Sequence, residues 1–123
     1  MKEKLINSFW REGKYIDSWS IIHLLSGFGL GVILLLILKL PFLNTILVTI
    51  SLLILAEILE PAKETIENRI SDVLIGFLGF ILAFIAYLNL NKEILLITST
   101  FMFLIWGTLN IIGWKTLIKS NKS

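Results

Sequence analysis

Four apolar stretches, each long enough to cross a bilayer, leave this chain few folds to choose from. They cover residues 19–40, 42–59, 70–88 and 94–112. A helix needs roughly 20 mostly apolar residues to span the hydrocarbon. The runs are continuous and lack the apolar-polar alternation of a membrane barrel. Helices also satisfy their own backbone hydrogen bonds in lipid. The expected fold is therefore an all-α membrane protein of four transmembrane helices. Composition agrees: 56% of the residues are hydrophobic and 16% charged, against about 45–50% and about 25% in soluble domains. A net charge of +2 with no long basic run gives no footing for nucleic acid. The absence of cysteine removes disulfides, thiolate metal sites and cysteine nucleophiles.

The links between stretches predict topology. Lys39-Leu40-Pro41 and Asn89 to Glu93 are short, and short links force antiparallel neighbours, as in an up-down-up-down bundle. The middle link, Glu60 to Arg69, is longer and polar. Residues 1–18 form a mixed, charged N-terminal segment and 113–123 a tail. The first segment lacks the basic-apolar-small order of a secretory signal, so no cleaved leader is expected. Its Leu5, Ile6, Phe9 and Trp10 share a helical face, which suits either a helix lying on the membrane or a solvated tail. Lys and Arg collect on the cytoplasmic side of membrane proteins. Nine lie in the N-terminal segment, the middle link and the tail; Lys39 and Lys92 stand alone opposite. Both termini and the middle link are thus expected in the cytoplasm of a multi-pass cell-membrane protein. Trp10, Tyr15, Trp19 and Trp114 are expected in the interfacial aromatic belt on that side.

On this topology the polar residues converge. His23 lies one turn inside span one, Glu57 one turn from the end of span two, Glu60 at that end, Asp72 at the start of span three and Asn110 near the end of span four. All would sit at a similar depth near the cytoplasmic leaflet. A carboxylate near a helix centre costs about 2.5–3.5 kcal/mol on insertion scales, less near the interface, and such residues usually face the bundle interior. Asn68, Asp72, Gly76, Gly79, Ala83 and Ala86 share a face of span three; His23, Gly27 and Gly31 share one on span one. Small-residue faces let helices pack closely, within one chain or between copies in a homo-oligomer. The glycines from Gly27 to Gly31 follow no strand and do not form a nucleotide loop. Asn44, Thr45, Thr49 and Ser51 are expected to bond to their own helix backbone, and Thr98, Ser99 and Thr100 likewise need no special role.

These blocks resemble the VanZ-like family and neighbouring small membrane proteins. The resemblance rests on Asp17, on His23-xxx-Gly27 opening a span, on Glu57-xx-Glu60 ending the next, and on Arg69-xx-Asp72-xxx-Gly76-xx-Gly79 opening the third. It covers residues 17 to 80. Asp17 stands six residues before His23 where the family tends to have a shorter spacing, and Gly76 stands where it often has Asn. The resemblance implies a cell-envelope membrane protein and brings no reaction with it.

Two functions fit the residues. In the first, the cluster handles a lipid headgroup. His23, with Glu57, would supply acid-base chemistry, since imidazole titrates near neutrality. Glu57, Glu60 and Asp72 would hold a divalent cation through hard oxygen donors. Asp17, Arg69 and Asn110 would add ligand contacts, with Arg69 suited to phosphate. In the second, the same network only fixes helix packing or binds a partner.

Overall fold

A computed structural model describes residues 19–59 and 65–122. Asp17, Glu60 and the residues expected as an N-terminal interfacial segment lie outside the described residues, as does Glu64. All regular structure described is helical. We number the helices α1 (Trp19–Val32), α2 (Phe42–Leu59), α3 (Ile66–Asn89) and α4 (Lys92–Lys122); a π-helical turn, Ile33–Ile37, follows α1. Four helical stretches are long and apolar enough to span a membrane: Trp19–Ile37, Phe42–Leu59, Ile66–Asn89 and Lys92–Thr116.

The helix ends follow local chemistry. The first span stops short of residue 40. Leu40 precedes Pro41, and that position disfavours helix. The chain widens into the π turn, where Leu38 N–H reaches Ile33 O at 2.9 Å, and then reverses through Lys39 at φ 53°. A non-glycine residue in this left-handed region costs about 1–2 kcal/mol. Span three starts four residues before the expected Ile70, because Thr65 caps it: the Thr65 hydroxyl accepts from Asn68 N–H at 3.1 Å. The fourth helix continues through most of the expected tail, to Lys122. Its start is capped by the Asn91 side chain, which accepts from Ile94 N–H at 2.9 Å.

The core forms where α1 lies on α3. A Cβ added to Gly27 would run into the Gly76 carbonyl, and one added to Gly79 into the Leu24 carbonyl. The backbones therefore touch, which only glycine permits at these two positions. Further along, Gly31 meets Ala83 and Phe80, and Phe28, Val32, Leu36, Ala83 and Leu95 close a buried apolar cluster. Contacts rise together along α1 and α3. Against α1, α4 pairs in the opposite order: Trp114 on Trp19, Trp106 on Ser26, Phe103 on Gly29. Likewise α2 places Leu53 on Gly76 and Phe42 on Phe84. The first span is the most enclosed, with 56% of its apolar stretch buried, and the fourth the least, with 11%. The large apolar side chains left outside, such as Leu43, Leu74, Phe101 and Leu104, suit a lipid-facing surface.

Candidate functional site

The close α1–α3 seam sets up the polar cluster. His23 precedes Gly27 by one turn and Asp72 precedes Gly76 by one turn. Where the two glycines touch, the side chains one turn earlier are drawn together. His23 Nε2 lies 3.1 Å from Asp72 Oδ2. Glu57 arrives from α2, whose Leu53, one turn earlier, packs on Gly76. Glu57 Oε1 lies 3.5 Å from the same His23 nitrogen. Donor atoms of His23, Glu57 and Asp72 thus all fall within 4.8 Å of one another.

Burial is deep. The Asp72 side chain is 0% exposed, Glu57 7% and His23 17%. Asp72 Oδ1 has no hydrogen-bond partner among the described residues. Two ionised carboxylates beside one imidazole leave a net charge of −1 if the ring is protonated and −2 if it is neutral. Such charge is costly to bury unless it is compensated.

The cluster forms the polar part of a cavity of about 320 Å³. Asn110 of α4 lines it too, so all four spans contribute a polar residue. The rest of the wall includes Ile22, Leu30, Leu52, Leu53 and Leu59, with Trp19 and Trp114. This pairing of an apolar wall with a few convergent polar groups is typical of small-molecule sites, which run from about 300 Å³ upward.

Several residues are already engaged. Ser26, the hydroxyl residue in this wall, donates to Ile22 O at 2.8 Å and accepts from Trp106 Nε1 at 2.7 Å. Those bonds tie it to α1 and α4 and leave it poorly suited to nucleophilic work. Asn110 Nδ2 donates to Trp106 O at 3.0 Å. Arg69 Nη1 donates to the main-chain carbonyl of Glu57 at 2.6 Å. It thus satisfies one of the last-turn carbonyls that a helix end leaves open. Arg69 is absent from the wall of the cavity and instead lines a neighbouring groove with Ile54, Ile58 and Ile70.

Two sequence expectations change. Trp19, expected in an interfacial belt, is only 3% exposed and meets Trp114 edge-on at 5.5 Å between ring centroids. Together they wall the pocket. The helical spacing carried the signal: Trp19, Ile22, His23, Ser26 and Leu30 share one face of α1. Thr49 is fully buried, yet its hydroxyl makes no hydrogen bond among the described residues. Thr45, Ser99 and Thr100 do bond to their own helices.

Comparison with protein-family models, with curated proteins and with solved structures returns no match to this chain. The class that stands is a multi-pass helical membrane protein with a buried His/Glu/Asp cluster.

Proposed function

We propose that this chain is a VanZ-like protein of the cell membrane whose pocket receives the polar head of an amphiphile from the cytoplasmic leaflet. The spans run up-down-up-down with both termini in the cytoplasm. The alternating order of the contacts supports the first part, and the excess of Lys and Arg in the N-terminal segment, middle link and tail supports the second. In this reading His23, Glu57, Asp72 and Asn110 face the head, and Trp19, Leu30, Leu52 and Leu59 line the path of the chain. One observation carries the proposal: a polar residue from every span lines a single cavity of about 320 Å³ whose remaining wall is apolar.

The test fills the cavity without touching the cluster. Ala56 lines the pocket but is otherwise exposed. Native mass spectrometry of protein released from membranes in mild detergent should show a retained lipid on the wild type. Ala56→Trp should lose it while melting at a similar temperature. Equal lipid retention by both proteins would remove the pocket from the account. A reporter fused at Lys92 should read as extracytoplasmic; the opposite result would invert the orientation and the choice of leaflet.

One observation favours a purely structural role instead. The His23–Asp72 contact joins α1 to α3, and the Arg69–Glu57 bond joins α3 to α2. Under that reading Glu57→Gln lowers the melting temperature and leaves lipid retention unchanged. Under the pocket reading the same change alters lipid retention and leaves the fold intact.

A further inference from the structure

We infer that His23, Glu57 and Asp72 form a binding site for a divalent first-row transition cation of the zinc type, with a coordination position left open to the cavity. The inference deepens the pocket reading, and rests on it only for what would fill the open position: an anionic oxygen of the amphiphile's head.

The donor geometry supports it. Zinc binds imidazole nitrogen and carboxylate oxygen at about 2.0–2.2 Å. Tetrahedral donors at that radius sit about 3.3–3.6 Å apart by simple geometry. The His23–Glu57 and His23–Asp72 separations are 3.5 and 3.1 Å, and all three donors fall within 4.8 Å of one another. Small rotations of the two carboxylates would complete the set. Three protein ligands with an open position is the arrangement of zinc sites that bind further ligands.

A second observation comes from Asp72 by itself. It is fully buried, lines the cavity and has an Oδ1 that no described residue hydrogen-bonds. A carboxylate held this way in an apolar wall calls for a positive partner. Among the described basic side chains only His23 reaches Asp72 within the pocket, and even a protonated ring leaves the cluster at −1. Arg69 is directed to the Glu57 carbonyl, Lys39 and Lys92 line a cleft between the two short turns, and Lys115 is exposed. Neutral imidazole with two carboxylates carries −2, which one divalent cation cancels.

The donor types choose among cations. Calcium takes six to eight oxygens and magnesium a near-ideal octahedron of oxygens with several waters. Imidazole beside two carboxylates suits zinc or its first-row neighbours better. Because the three ligands come from α1, α2 and α3, the cation would also fasten three helices at one point.

The test uses the full chain without a polyhistidine tag, in detergent, stripped with chelator and passed through a desalting column. After exposure to Zn2+ alone, elemental analysis should find one zinc per chain. Asp72→Asn and His23→Gln should each weaken zinc binding by more than about 100-fold, beyond what loss of a merely supporting group costs. Lys39→Gln, at the opposite turns, should bind as the wild type does. Should either ligand variant fail to fold, Co2+ on the wild type decides. A visible absorption band of tetrahedral character, abolished by Zn2+ and unmoved by excess Mg2+, supports the site.

Absence of retained zinc in the wild type, unchanged affinity in both ligand variants, or displacement of Co2+ by Mg2+ would each overturn it. The two readings fail separately. Zinc is scored with no amphiphile present, and Ala56→Trp scores the amphiphile. Lipid retention without zinc removes only the cation, and zinc without lipid retention removes only the pocket reading.

Discussion

The two ends of the α1–α3 seam are built from the same device and finished differently. In the middle, Gly27 meets Gly76 and Gly79 meets Leu24, backbone against backbone. One turn toward the start of both helices, the approach is spent on His23 and Asp72, which come within 3.1 Å beside a cavity. One turn the other way, Gly31 faces Ala83 and Phe80, and the space is closed by apolar atoms. The lesson is that glycine contact is not itself the site. It fixes the distance between two helices, and the residues one turn away decide whether that distance makes a dry core or a polar pocket.

This comparison can be broken most severely at its polar end. Asp72→Ala removes one member of a fully buried ionic set. Such losses cost about 3–5 kcal/mol, so the melting temperature in detergent should fall further than for a change in the glycine seam or on α4. A shift within error would mean that the cluster does not hold the helices. The middle of the seam comes next. Gly27→Ala drives a methyl into a backbone carbonyl, and overpacking of this kind costs about 1–3 kcal/mol. The same variant should also weaken zinc binding, because separating the helices stretches the His23–Asp72 contact. Full stability with weakened zinc binding would sharpen the link between seam and site; both unchanged would cut it.

A smaller effect is expected where α4 attaches. Trp106→Phe deletes the bond to the Ser26 hydroxyl, worth about 0.5–1.5 kcal/mol. A modest drop in thermal stability with zinc binding retained would place α4 outside the cation site. The smallest effect serves as the control. A Cβ at Gly107 would meet nothing within 4 Å. Gly107→Ala should leave stability unchanged or raise it by up to about 1 kcal/mol of helix propensity, read as an equal or slightly higher melting temperature. A loss there comparable to Gly27→Ala would show that glycine itself, and not close approach, governs stability in these helices.

Much of the fold was legible in the chain, because hydropathy and span length depend on sequence alone. Lipid admits continuous apolar helices and little else, so four stretches became four helices. The small-residue faces were legible for a related reason. Spacing of three and four residues puts Asp72, Gly76, Gly79 and Ala83 on one side whatever that side touches. The buried residues of α3 lie on that side, with Phe80 joining them. Of the candidate site, His23, Glu57, Asp72 and Asn110 could be set at one depth by counting turns.

Other features needed the third dimension. Counting turns gives depth and not rotation, so it left Trp19 and Trp114 in a belt when they form the pocket wall. It gave no sign that Arg69 would reach the Glu57 carbonyl across the α2–α3 contact. It ran the first span to residue 40, where the chain turns back through a π-helical turn and Lys39.

The chain by itself therefore determined its solvent, its helices and the level at which the polar residues sit, since each follows from local apolarity and a fixed rise per residue. Only tertiary structure decided which of those residues meet. That depends on how closely and at what rotation helices distant in sequence pack, and here two backbone contacts, Gly27 on Gly76 and Gly79 on Leu24, set both.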